Sequence, residues 1–353
     1  MALPPAIVAD DVENPGNVET LLVAAEMFCS TCVFHAHAHL ARADLTDALN
    51  NHRSRIVTSD EIGMQFRPLL ALENVSGAAE LYGFRFPTGP TPALVVGNER
   101  RGISRELLTL SDRAVQIPMP SPHLNSLNVA SAAAVGLYYL NRNGGAGARV
   151  SAHPEKRRPE LLLLAPTDHV ELGSSIRSAS AFGWQQLLVD DRYGAWFGVP
   201  RATRAEGRAA ARRARNPIHV IPSSPAHSYA FEEICVVSPE AGGVPLAEAN
   251  LAGGHRQLLV IPDIQGISID HIDWSRFGGR VSFVSLDLPV RPASRRYRLD
   301  ASIVLAETAH QIGRPSAGVA RKHPSRAPRY DRILRLGASD LGQLVFVDEL
   351  ECY

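Results

Sequence analysis

The 353 residues predict an α/β protein in which one arrangement of strands and helices is laid down twice. Three observations predict it. Short apolar runs alternate with helical stretches, the pattern of a mainly parallel sheet covered on both faces. The stretch NRNGGAGARVSAHPEKRRPE, rich in glycine, proline and charge, breaks that alternation near residue 150. The same order of elements then starts again. A chain of this length also exceeds one ordinary core. The boundaries read from these signals are a first domain over 1–145, a linker over 146–158, a second domain over 159–314 and an extension over 315–353.

In the first half AIVADDV reads as a strand, an apolar run stopped by acidic residues. ETLLVAAEMF has apolar residues at helical spacing and reads as a helix, and TCVFHAH returns as a strand. RPLLALEN, PALVVGN and AVQIPM are three further strands, each bounded by proline, glycine or asparagine. NVASAAAVGLYYLNR closes the half as a helix built from strong helix formers. The second half opens with the strand PELLLLAPTD, a helix over 172–182 and the strand QQLLVDD. RATRAEGRAAARRARN is a basic helical segment, IHVIPS, EICVVS, RQLLVIPD and VSFVSLDLP are strands, and LDASIVLAETAHQIG is the closing helix. The basic, proline-containing stretch SAGVARKHPSRAPRYDR then begins the extension.

Composition narrows the function classes. Acidic and basic residues balance at 36 each, so no global field draws the chain to nucleic acid. Lys156 and Lys322 are the only lysines, and all other basic residues are arginines, whose planar fork suits phosphate and carboxylate. Four cysteines are no disulfide framework at this length. Cys29 and Cys32 stand at C-x-x-C spacing without a second pair, and both read as packing residues. The N-terminus MALPPAIVADDVENPG lacks the basic and long apolar regions of a signal peptide, and no run approaches membrane-spanning length. The expectation is a cytoplasmic protein with no membrane partner and no metal.

Three polar knots at strand ends carry the chemistry. They are DDVENPGNVETLLVAAE, LVVGNERRGIS and VQIPMPSPHLNSLNVASAAAVGLYYL. In that order they resemble the motifs of the SpoU (TrmH-like) branch of the SPOUT methyltransferases, S-adenosylmethionine-dependent enzymes that mostly methylate RNA 2′-hydroxyls. The resemblance runs through residues 7 to 141. It implies an α/β sheet with a deep trefoil knot in at least the first half, S-adenosylmethionine bound in a bent form, and sites formed where two subunits meet. It further implies that Val96, Gly97, Asn98, Glu99, Gly102, Ile117, Pro118, Met119, Ser126, Leu127 and Asn128 bind the cofactor. Gly97 ends a strand, where a missing side chain lets a ligand approach the backbone. Ile103 offers apolar contact to an adenine, Ser126 is placed to cap the closing helix, and Asn128 to turn its amide toward the reacting centre.

The first motif departs from the family pattern. Asn14, Pro15, Gly16 and Asn17 are present, but Glu19 and Val23 stand where a glycine and an arginine are expected, and PSPHLN lacks the family's glycine. In the second half APTDHVELGSSIRSASAFGW restores that pair as Gly173 and Arg177, while Asp168 and Glu171 replace the asparagines. VIPDIQGIS and RLD, with Asp300 in the place of Asn128, have lost the later motifs. The losses are complementary. The expectation is two tandem SPOUT-type domains packed as an intrachain pseudodimer, the second degenerate and binding no cofactor. One composite site then uses Arg177, Asn14, Ser126 and Asn128 as catalytic candidates. The expected partner is rRNA or tRNA. A small-molecule or peptide acceptor is the alternative, and a non-catalytic RNA- or cofactor-binding protein is a third reading. Higher oligomers remain open.

Overall fold

The alternation of strands and helices resolves into two seven-stranded sheets of identical wiring. The structure is a computed structural model and describes residues 4–35, 49–50, 52, 54–85, 89–120, 126–142, 157–198, 205–212, 218–223, 231–238, 242–292 and 294–313. Most of the expected linker, the whole extension with Cys352, and the outer parts of the basic segment 201–216 lie outside these residues.

The first sheet contains β1 (Ala6–Asp10), β2 (Cys32–His35), β3 (Arg55–Val57), β4 (Leu69–Leu72), β5 (Ala79–Glu80), β6 (Ala93–Val96) and β7 (Arg113–Gln116), in the order β3-β2-β1-β6-β4-β7-β5. The second contains β8 (Glu160–Leu164), β9 (Gln186–Asp190), β10 (His219–Pro222), β11 (Glu233–Ser238), β12 (Val244–Pro245), β13 (Gln257–Pro262) and β14 (Arg280–Ser285), in the order β10-β9-β8-β13-β11-β14-β12. Each strand of the second sheet stands where the strand seven places earlier stands in the first. All described pairings within the sheets are parallel. β1, β6 and β13 are buried along their whole length, which is why they read as unbroken apolar runs.

Among the described residues, seven α-helices accompany the strands: α1 (Pro15–Met27), α2 (Ser59–Gln65), α3 (Arg105–Leu110), α4 (Val129–Asn141), α5 (His169–Ala181), α6 (Ala205–Arg212) and α7 (Tyr297–Ile312). α1 begins four residues before the expected start at Glu19. Pro15 takes the first helical position, where its missing N–H costs nothing, and the Asn14 side chain accepts from Gly16 N at 2.8 Å. Asp168 caps α5 in the same way, accepting from Val170 N at 2.7 Å and Glu171 N at 2.8 Å. β3, α2 and α3, at three, seven and six residues, are too short to register as periodic signals.

Contacts divide the chain into two compact units, each completed by a segment from the other repeat. One unit holds residues 1–118, 128–148 and 287–303; the other holds 119–127, 149–286 and 304–353. In the second unit α5 and α6 cross at glycines. A Cβ on Gly173 would lie 2.0 Å from the Gly207 carbonyl oxygen, and one on Gly207 would lie 2.1 Å from that of His169. Gly173→Ala therefore forces the two backbones apart. It is expected to cost about 1–3 kcal/mol, read as a lower urea midpoint.

One expectation for the cysteines is corrected. Cys32 is buried in β2, and burial pushes its thiol pKa well up, as befits a packing residue. Cys29 is exposed in a left-handed turn at φ 52° and packs no core. Among the described residues there is no group of three or more His, Cys, Asp or Glu placed to hold a metal, and no helix is long and apolar enough to cross a membrane.

Candidate active site

The strands of the first sheet are parallel, so the loops after β1, β4, β6 and β7 all leave one edge. β1 and β6 are neighbours, yet the chain leaves β1 toward β2 on one side and β6 toward β7 on the other. That reversal is where an open parallel sheet forms a crevice for ligands. The polar knots of the sequence meet here.

The loop after β6 closes on itself. Asn98 and Gly102 exchange two backbone hydrogen bonds of 3.0 Å. A Cβ on Gly97 would stand 2.2 Å from the Gly102 carbonyl carbon and 2.3 Å from Ile103 N. The space that Gly97 leaves is filled by the chain's own return, not held open for a ligand. Gly102 turns left-handed at φ 73° beside Glu73, whose carboxylate accepts from Ile103 N at 3.0 Å. The Ile103 side chain packs into the core with Val95 and Leu107 rather than facing an adenine.

The polar residues of this loop reach across to the other motifs. Asn98 is buried; its amide donates to Asp11 O at 2.6 Å and accepts from Arg100 N at 2.8 Å and Arg101 N at 3.0 Å. Arg101 in turn pairs with Asp11 and Glu13. The Glu99 carboxylate accepts from Glu13 N and Asn14 N at 3.3 Å each and from Asn17 Nδ2 at 2.6 Å. Asn17 Oδ1 accepts from Asn128 Nδ2 at 2.8 Å. A carboxylate only accepts, so the Asn17 amide nitrogen must face Glu99 and its oxygen must face Asn128. Glu99, Asn17 and Asn128 thus form a directed chain through all three motifs. Beneath it the fully buried Asp10 accepts from Ser104 N at 2.6 Å and meets His35 Nδ1 at 2.8 Å.

The remaining expected residues fall as follows. Val96 ends β6, Ile117 is buried just after β7, Met119 is half-buried, and Pro118 O accepts from the Tyr82 hydroxyl at 3.2 Å. Asn14 is exposed and caps α1. Leu127 is buried. Ser126 does not cap α4. That role belongs to Asn128, whose Oδ1 accepts from Ala130 N at 3.0 Å and Ser131 N at 3.4 Å. Ser126 instead meets Arg177 in the second unit. Arg177 Nε donates to Ser126 O at 2.6 Å, and Nη2 donates to Ser126 Oγ at 2.6 Å and to Leu127 O at 2.7 Å. Arg177 is 5% exposed, so its fork is held among acceptors away from water.

Asn17 was assigned no role from sequence, although Asn14-Pro15-Gly16-Asn17 carries the signal. One turn separates a helix cap from the third helical residue, which faces the strand end. Val23, at the expected arginine position, is buried on α1, and Glu19 is exposed.

The matching edge of the second sheet is built differently. Pro262 occupies the Gly97 position, and the following loop is a tight turn in which Gly266 N donates to Asp263 O at 2.9 Å. The Asp263 carboxylate accepts from Thr167 N at 2.9 Å, Thr167 Oγ1 at 2.7 Å and Gln265 N at 3.1 Å. In the first unit Asp300, the counterpart of Asn128, is held by the Arg295 fork.

Comparison with known proteins agrees with the motif reading. Residues 4–138 match the SpoU rRNA Methylase family. A tRNA (guanosine(18)-2′-O)-methyltransferase from Aquifex aeolicus is 27% identical over 145 residues, which cover 38% of this chain and 68% of the relative. Two solved structures are also similar. The SpoU methyltransferase AviRb from Streptomyces viridochromogenes, in complex with AdoMet, is 24% identical with a TM-score of 0.31, over 38% of this chain and 55% of that one. A TrmH/SpoU tRNA modifying enzyme from A. aeolicus is 24% identical with a TM-score of 0.34, over 40% of this chain and 75% of that one. This chain thus spans only part of each relative.

Proposed function

We propose that this chain, whose residues 4–138 match the SpoU rRNA Methylase family, is an S-adenosylmethionine-dependent methyltransferase that modifies a ribose 2′-hydroxyl of RNA. The observation that carries the reading is the Glu99–Asn17–Asn128 chain, which ties the three matched motifs together at the sheet's switch point. The 2′-hydroxyl target comes from the activity named for the Aquifex relative.

The residues at this edge fit the cofactor. Val96, Ile117 and Leu127 are buried apolar walls beside main-chain groups, Pro118 and Met119 are half-buried, and Glu99 brings the negative charge that suits a cation. When bound, S-adenosylmethionine supplies a methyl group on a positively charged sulfur that leaves as a neutral thioether. The chain's own part is alignment. Asn128 holds the first turn of α4 and is itself aimed by Asn17. Arg177 grips the two residues before Asn128, so that its position and that of the loop are set together. A guanidinium keeps its proton in proteins and does not abstract another. Arg177 therefore acts by position, fixing Ser126 and Leu127 beside Asn128 and with them the place of the acceptor hydroxyl. On this reading the second repeat contributes Arg177 to a composite site, the two repeats serving in one chain as two subunits do in the family.

The test has two arms. Labelled S-adenosylmethionine is expected to transfer methyl groups into tRNA or rRNA, the product resisting alkaline cleavage at the modified ribose. Label appearing only in a small-molecule extract would overturn the RNA reading. Calorimetry is expected to give one cofactor per chain, because Pro262, the shortened loop and the engaged Asp263 leave the second sheet without the first sheet's loop. Two equivalent sites would refute that assignment.

A further inference from the structure

The segment just before α7 repeats the segment just before α4, with opposite chemistry. α4 starts at Val129 behind its cap Asn128, so Ser126 and Leu127 are not helical and their carbonyls are open to the Arg177 fork. α7 starts four residues earlier relative to its motif, at Tyr297 where Asp300 matches Asn128. Arg298 and Leu299 are therefore helical, and the Arg298 carbonyl accepts from Ser302 Oγ at 2.6 Å. A helix used this way has few carbonyls left for an arginine arriving from elsewhere. Here the arginine comes from α7 instead. Arg298 is 5% exposed, and its Nη2 donates to Gly16 O at 3.3 Å and to Thr20 Oγ1 on α1. The Thr20 hydroxyl gives its own proton to Gly16 O at 2.6 Å, which leaves its lone pairs for the guanidinium.

Arg298 does not act alone. The Arg295–Asp300 pair, with side chains 4% and 9% exposed, fixes the start of α7, and Arg296 meets Glu19 at 3.3 Å. Gly16 and Thr20 bracket Asn17, the residue that joins Glu99 to Asn128. We infer that Arg298 is a positioning residue for the proposed methyl transfer. By holding the Gly16 carbonyl and the Thr20 hydroxyl, it fixes the first turn of α1 so that the Asn17 amide stays between Glu99 and Asn128. A residue 278 positions from Thr20 thus sets the geometry of the first motif. The inference rests on the functional reading above.

Full-length Arg298→Ala, Arg298→Lys and Thr20→Val variants test it, with two readouts. One is the side-chain amide resonances of Asn17 and Asn128 in 15N-labelled protein. The other is kcat and KM for labelled methyl transfer to bulk tRNA, with S-adenosylmethionine affinity measured separately. Arg298→Ala is expected to shift the Asn17 amide signals and to lower kcat by between about 10- and 10²-fold, the scale of a small displacement near a reacting centre. KM and cofactor affinity should hardly move. Arg298→Lys should recover part of kcat, because an ammonium still reaches one of the acceptors. A merely structural role would lower the folded fraction and would show no such split or rescue. Unmoved Asn17 signals in Arg298→Ala, or a rise in KM at constant kcat, would overturn the inference. If Arg298→Ala does not fold, Thr20→Val decides by the same amide signals, since it removes the hydroxyl at nearly constant volume. A parent chain that transfers no methyl group to RNA would count against the functional reading, while the amide signals would still decide Arg298.

Discussion

Replacing Arg177 by alanine is expected to lower kcat for methyl transfer by about 10²-fold or more, the scale seen when a positioned catalytic group is lost. Its guanidinium holds Ser126 O, Ser126 Oγ and Leu127 O at 2.6–2.7 Å, and the next residue in the chain is Asn128. The truncation therefore removes these three hydrogen bonds and frees the loop that precedes the α4 cap. Because Ser126 and Leu127 also belong to the expected cofactor loop, S-adenosylmethionine affinity should weaken too, but by less than kcat falls. Arg177→Lys should restore little. Nε and Nη2 act together here, and a single ammonium does not reproduce that fork. The measurement is steady-state transfer with the cofactor affinity taken from calorimetry. Parent-like turnover in Arg177→Ala would make α5 a scaffold helix and leave Asn14 as the next residue to vary.

Gly97→Val is expected to abolish measurable cofactor binding. A Cβ at this position lies 2.2 Å from the Gly102 carbonyl carbon, far inside any non-bonded contact, and the obstacle is backbone that no rotamer change can move aside. The 97–103 loop must open, and with it go the Asn98–Gly102 bonds and the placement of Glu99 on Asn17. Gly97→Ala should already lose most of the affinity, because the first added carbon makes the collision. An alanine variant that binds S-adenosylmethionine like the parent, with circular dichroism unchanged, would show that the loop tolerates opening.

These two residues mark what the sequence revealed and what it did not. The ends of β1, β6 and β7 were legible because buried parallel strands are continuous apolar runs, stopped by glycine, asparagine or proline. Gly97 was legible as a special position, but not its reason: sequence alone does not say whether the vacant space is met by a ligand or by the chain five residues on. Asn128 was legible as a helix-start residue. Its exchange of roles with Ser126 was not, since either side chain is a good cap. Arg177 stood out because α5 restores a pair that α1 has lost, whereas its hold on Ser126 needed coordinates. Arg298 and Asn17 escaped notice for a plainer reason. Their partners are set by tertiary packing, and no local period encodes a contact across 278 residues.

The division of the chain into units 1–118, 128–148 and 287–303 against the remainder has a consequence for the order of events during synthesis. The first unit has its whole sheet once β7 has emerged, but not the segment that brings Arg298 to Thr20. At about 5–20 residues per second, the ribosome needs roughly 8–32 s more to reach residue 303 from the end of α4. Through that interval the Gly16 carbonyl and Thr20 hydroxyl lack their arginine. On the reading proposed above, maturation of the site is timed by completion of the second repeat, so a message truncated between the repeats is expected to yield a chain that has every cofactor motif but lacks the Arg298 hold on α1.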